Sequence, residues 1–232
     1  MKIEYLVLLI SLSILLPIFI AVLAYLQEKK RDAQRKERAL LKGWNYESGK
    51  SSQLGFKVEG QNGSLIWRLE ARVKGNYRSL IFSSKSIYLN NGVFYFADKR
   101  ETDLILKPLM RFALKLGTNL SPNQSDPQRV KAISLLQNAK ILDIHPGSGK
   151  WNYGALSTST DFGYKVFSMG FQGEIDSLSL IDSSKVPPAI ILSPDGLEIQ
   201  WHSTTVDADK MELLIDASLR LMTILNNAIK NS

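Results

Sequence analysis

Residues 5–26 read YLVLLISLSILLPIFIAVLAYL, and residues 27–42 follow directly as QEKKRDAQRKERALLK. The first stretch carries no charge, and fifteen of its positions are Leu, Ile, Val or Phe. A helix rises about 1.5 Å per residue, so this stretch extends roughly 33 Å, against a hydrocarbon core of about 30 Å. Each apolar side chain contributes about −0.3 to −0.6 kcal/mol to insertion, roughly −5 to −9 kcal/mol together. Pro17 removes one backbone donor without reversing that sum, and Tyr5 and Tyr25 fall where aromatic rings suit the headgroup layers. The sequence therefore predicts a transmembrane anchor over residues 1–26.

The second stretch orients it. Lys29, Lys30, Arg31, Arg35, Lys36, Arg38 and Lys42 outnumber Glu28, Asp32 and Glu37, and basic residues this close to an apolar segment resist translocation. The expectation is an uncleaved signal-anchor with its amino terminus outside and a cytoplasmic globular domain. Lys29, Lys30, Arg31, Arg35, Lys36 and Arg38 are candidate contacts for anionic lipid at the membrane surface. The competing account is a secretory leader cleaved after Val22-Leu23-Ala24, which would leave an outward-facing domain, but the apolar run exceeds the 7 to 15 residues of a signal core.

Residues 27–53 are expected to form a basic juxtamembrane helix and a polar linker, and residues 54–232 one α+β globular domain. The net charge of the 232-residue chain is +7, of which the basic segment supplies +4 and the anchor none. Only +3 is left for the domain, without the concentrated basic stripe that nucleic acid demands. The chain has no cysteine and two histidines, which removes disulfides, thiolate zinc sites and His-rich metal sites. No motif calls for a cofactor or a metal.

Within the domain, Asn62-Gly63 is a hairpin signal suited to a type I′ turn. Leu65, Trp67, Leu69, Ala71 and Val73 then alternate with Ile66, Arg68, Glu70, Arg72 and Lys74, the pattern of a strand with one buried face. Tyr77–Ser83 and Ser86–Ala97, broken at Asn90-Asn91-Gly92, read as further antiparallel strands. About three helices are predicted. One runs from Pro108 to Leu116, with Lys107, Arg111 and Lys115 in a basic row that is a candidate interaction face. A second runs from Asp126-Pro127 to Ala139. The third runs from Asp207 to Asn227, with Asp209 and Glu212 at capping-box spacing. Between them, residues 140–201 are punctuated by glycine and proline and read as short strands. A hairpin-then-helix echo around Ile87–Phe96 and Ile190–Trp201 raises the alternative of two similar lobes, 54–120 and 121–232; coincidence among ordinary hairpins is the competing account.

Candidate chemistry is sparse. Pro146-Gly147-Ser148-Gly149-Lys150 lacks the first glycine and the final Ser or Thr of a phosphate loop, and reads as a surface turn. Asp143 and His145, with Lys150 and Asp161, form one weak catalytic set; His202 with Asp207 and Asp209 forms another. Of the tryptophans, Trp67 and Trp201 are expected in the core, while Trp44 beside the stalk is a candidate membrane or partner contact. The leading expectation is a single-pass membrane protein whose domain binds a partner protein as an accessory or assembly subunit of a membrane complex. A membrane-tethered enzyme or small-ligand-binding domain is the alternative.

Overall fold

The computed structural model describes residues 3–51, 54–74, 77–106, 136–144, 151–181, 186–202 and 206–231. Its strands are β1 (Asn45–Ser51), β2 (Leu54–Asn62), β3 (Leu65–Lys74), β4 (Tyr77–Ser84), β5 (Phe94–Asp98), β6 (Lys140–Ile141), β7 (Tyr153–Ser157), β8 (Ala189–Ser193) and β9 (Gly196–His202). Its helices are α1 (Ile3–Leu41), α2 (Lys99–Leu106), α3 (Thr160–Ser168), α4 (Phe171–Ile181) and α5 (Ala208–Lys230). The strands form one sheet in the order β1-β2-β3-β4-β9-β8-β5-β7-β6, antiparallel throughout. The α+β class holds.

The Asn62-Gly63 hairpin forms, with Asn62 opposite Leu65. Its turn residues are Gly63 and Ser64, with Gly63 at φ +62°, and no described non-glycine residue has a positive φ. The glycine thus occupies the first central position, as a type II′ turn requires, in place of the type I′ turn expected. Alternation along β3 is as read: Trp67 and Leu69 are buried, Ile66 and Arg68 exposed.

One face of the sheet is apolar from β2 to β7. Phe56, Val58, Leu80, Phe82, Phe94, Phe96 and Ile199 join Trp67, Leu69 and Trp201 in a core closed by α3, α4, α5 and the end of α1. Trp201 Nε1 donates to Ser218 Oγ at 3.1 Å, tying β9 to α5. On the other face, Tyr95, Leu156 and Ile191 pack with Ile105 of α2 in a smaller cluster. Over β1, β2 and β3 that same face is wet and carries a charged ladder, in which Lys57 bridges Glu47 and Glu59, Arg68 bridges Glu59 and Glu70, and Arg72 pairs with Glu70.

Several expectations are corrected. Residues 45–51 are a strand, not a linker; as an edge strand with one side against α1, Asn-Tyr-Glu-Ser-Gly-Lys-Ser lacks the apolar alternation of an inner one. The division into lobes 54–120 and 121–232 fails because β5 lies between β8 and β7, and β9 lies between β4 and β8. The echo fails with it, since Ile87–Leu89 forms no strand. Residues 160–181 are two helices, not short strands. Ser159 caps α3 by accepting from Phe162 N, and Gly170 at φ +92° ends it in the left-handed conformation typical of a helix terminus. Of the expected helix over 126–139, the described end, Leu136–Asn138, is a 3₁₀ turn. The helix expected over 108–116 lies outside the described residues. Among the described residues, no helix is long and apolar enough to cross a membrane.

Candidate functional site

The polar groups of the domain converge where α1 meets the sheet and α5. On α1, Glu28, Asp32, Arg35 and Ala39, and Lys42 just beyond its end, recur at alternating spacings of four and three, which place the helical ones on one stripe. That stripe faces the domain: Ala39 is fully buried and Arg35 is 3 % exposed. Just after α1, Gly43 at φ +70° turns the chain, Trp44 N donates to Ala39 O at 2.8 Å, and β1 runs back beside the helix.

Arg35 is the centre of the junction. Its Nη1 donates to the Val206 carbonyl at 2.7 Å, its Nη2 to Glu28 at 2.8 Å and its Nε to the Tyr46 hydroxyl at 3.3 Å. The guanidinium lies 4.7 Å from the centre of the Phe56 ring, a cation–π distance. Tyr46 in turn donates to Asp32 at 2.5 Å, and Ser48 donates to the other Asp32 oxygen at 2.7 Å. A strand puts residues i and i+2 on one face, so Tyr46 and Ser48 reach the same carboxylate.

A second set of pairs closes the outer side. Glu212 of α5 accepts from both Arg38 and Lys42, and Arg38 Nη2 donates to Asp209 at 2.8 Å. Asp209 is therefore not the cap of α5. Asp207 is, accepting from Lys210 N at 2.8 Å.

The charge states are held fixed. Burial raises the Asp32 carboxyl, but the bonds from Tyr46 and Ser48 and the charge of Arg35 outweigh it and hold Asp32 below the ordinary carboxylate range. The bonds from Lys42 and Arg38 hold Glu212 low as well. Burial and the bond to Asp32 push the Tyr46 hydroxyl up. Burial opposes the charge of Arg35, and its bonds to Glu28 and Tyr46 more than offset that. Proton transfer near neutral pH needs a group that titrates there. This cluster holds charges in place, which is the chemistry of a clamp.

The six cations assigned to the membrane surface thus separate. Lys29, Lys30 and Lys36 are exposed, and Arg31 is partly exposed beside Glu28. Arg35 is turned into the domain and Arg38 is engaged by α5, so neither is available to lipid as expected; the 3.6-residue period places them on the inner stripe. Trp44 is half-buried, edge-on to Trp67 at 5.4 Å between ring centres, and packs on the core. Asp143 is exposed after β6 and its backbone N–H donates to the Tyr164 hydroxyl at 3.3 Å. His202 is exposed at the end of β9, opposite Ser79. Four strand spacings, roughly 19 Å, separate β9 from β6, so Asp143 and His202 are not brought together. Asp207 and Asp209 serve the helix cap and Arg38. His145, Lys150, Lys107, Arg111 and Lys115 lie outside the described residues. Among the described residues, no group of His, Asp and Glu is arranged to hold a metal.

No protein-family model, curated protein or solved structure matches the chain.

Proposed function

We propose that this chain is a single-pass membrane protein whose α+β domain is held rigidly at the end of its anchor helix. There it binds a partner protein, as an accessory or assembly subunit of a membrane complex. The observation that carries this reading is the continuity of α1. It is one helix from Ile3 to Leu41, and its last part is locked into the domain through Arg35, Ala39, Arg38 and Lys42. Leu15, Leu16, Ile18, Phe19, Ile20, Val22, Leu23 and Leu26 are 42–61 % exposed, so the described residues do not cover them. The twelve positions from Leu15 to Leu26 extend about 18 Å; the uncharged sequence from Tyr5 brings the apolar length to roughly 33 Å.

A flexible tether leaves a domain free to sample many heights and tilts above a bilayer. A docked helix sets both, which lowers the ordering cost of meeting a second membrane protein. The positive flank favours the cytoplasmic side. In the test, the protein stays in the membrane pellet after alkaline carbonate, and protease added to intact spheroplasts leaves the domain uncut. A photo-crosslinker at exposed Ile66 or Leu180 gives a reproducible adduct with an integral membrane protein. Release by carbonate overturns the anchor, and absence of any adduct overturns the scaffold role.

A further inference from the structure

We infer that the face of α1 turned away from the domain is the docking seam for one helix of a different membrane protein, a transmembrane helix whose extension beyond the bilayer is acidic; this deepens the partner reading above and rests on it. The seam follows from where the domain sits. Glu28, Asp32, Arg35 and Ala39 face the sheet and α5, and at 3.6 residues per turn Leu26, Lys30, Ala33, Glu37 and Leu40 fall on the opposite side. All five are exposed, and their spacings alternate between four and three, as in a helix seam that packs against a second helix. The same register runs back through Leu23 and Phe19 into the apolar segment. At the far end Leu40 is 65 % exposed and Leu41, on its flank, 77 %. Leu40 lies about 21 Å beyond Leu26 along the helix, and still about 16 Å above it at a tilt of about 40°. The headgroup layer is roughly 5–8 Å deep, so lipid does not reach these leucines and a protein helix does.

The charges on this face choose the occupant. On the docked side, Glu28 holds Arg31 and Arg35, Asp32 also meets Arg35, and Asp209 and Glu212 of α5 engage Arg38 and Lys42. Glu47 of β1 is paired with Lys57. That leaves Lys30 and Glu37 in the seam, with Lys29 and Lys36 flanking it, three basic residues against one acidic. Two copies of a single-pass chain enter the membrane in the same orientation, so a second copy would pack parallel. Each seam residue would then meet its own duplicate, Lys30 against Lys30 and Glu37 against Glu37, while Lys29 and Lys36 would face Gln34 and Leu41, five residues on. Two like-charged layers without a crossing ion pair oppose that dimer. A helix with carboxylates opposite Lys29, Lys30 and Lys36, a basic residue opposite Glu37 and apolar side chains over Ala33, Leu40 and Leu41 satisfies every layer. Inside the bilayer, lipid tails are as apolar as leucine, so selectivity resides in the stretch from Lys29 to Leu41.

The full-length chain is placed in vesicles of neutral phosphatidylcholine, where its lysines have no anionic surface to meet. The chain has no cysteine, so a donor dye at Lys85→Cys is unique. The probes are two synthetic single-span peptides whose helical extensions carry leucine in the seam and either glutamate or lysine on its flanks; each bears an acceptor dye, and binding is read as energy transfer. The glutamate probe should bind about ten-fold more tightly than the lysine probe. Leu40→Ser with Leu41→Ser should weaken the glutamate probe about ten-fold, whereas Leu180→Ser, at an exposed leucine off the seam, should not. Lys30→Glu with Lys36→Glu should reverse the preference. All these side chains are exposed, so the variants should keep the parent Tm. Equal affinity for the two probes, or undiminished binding by the Leu40→Ser and Leu41→Ser pair, with the chain in the vesicles, overturns the seam alone. Stronger transfer between two labelled copies of the chain than to the glutamate probe gives the face to a second copy and overturns it as well. Recovery of the chain free of lipid overturns the anchor reading and this inference with it.

Discussion

Arg35 is buried because its fork has a partner for each nitrogen and its plane has an aromatic ring beneath it. An alanine there would orphan the Val206 carbonyl and leave Asp32 without its charge partner. Such losses cost about 2–4 kcal/mol. Arg35→Ala should lower the unfolding free energy by that amount in chemical denaturation followed by tryptophan fluorescence, and Arg35→Lys should recover only part of it. An ammonium cannot span Val206 and Glu28 as a planar guanidinium does. A loss below about 0.5 kcal/mol for the alanine variant would show the cluster to be dispensable. Trp67 presents the opposite case. Its Nε1 is buried without a hydrogen-bond partner among the described residues, whereas Trp201 Nε1 has Ser218. Trp67→Phe removes an unsatisfied donor as well as ring volume, so it should cost less than the roughly 3–5 kcal/mol of truncating a buried aromatic to alanine. Trp201→Phe, which strands the Ser218 hydroxyl, should cost more than Trp67→Phe in the same measurement.

The helices show how local signals divide between two carboxylates two residues apart. Asp207 caps α5 through Lys210 N, while Asp209 faces Arg38. Asp207→Ala should lower stability by about 1 kcal/mol, read as a fall in Tm, and Asp209→Ala should leave the helix terminus intact. If the two variants lower Tm equally, the cap assignment is wrong. The long period of α5 and the alternation of β3 were legible because each presents one apolar face to one core. α3 and α4 were harder to see. Phe162, Val166, Phe171, Ile175 and Leu178 do recur at helical spacing, but Gly163 and Gly170 interrupt them and imitate strand turns. Gly163 is instead a close contact: a Cβ there would meet Leu142 Cδ1 at 2.4 Å. Gly170 is a helix stop. β1 was illegible for another reason. Its two polar residues on the side facing α1, Tyr46 and Ser48, are satisfied by Asp32 of α1, a partner that only the tertiary fold supplies.

At the scale of the whole molecule, α1 and the domain behave as one body only if the ion pairs between α1 and α5 hold. Glu212 receives both Arg38 and Lys42, so Glu212→Lys would set a third cation against two and should undock the end of the helix. Spin labels at Gln27 and Lys85 report this directly: their distance distribution should be narrow in the parent protein and broad in the variant. A distribution of unchanged width would mean that the apolar contacts of Ala39 alone fix the joint. Acid should produce the same loosening with a definite sign. Asp32 and Glu212 are held below their ordinary values of 3.8 and 4.5, so the unfolded chain takes up protons more readily than the folded one. Their contribution is complete above those values and is lost as pH falls through the depressed folded ones. Broadening should therefore be absent between pH 6 and 8, begin only below about pH 4 and be missing from a Glu212→Gln variant that is already loosened. Broadening that tracks the histidine range would implicate a different group and would remove the carboxylate clamp as the cause of the rigid joint.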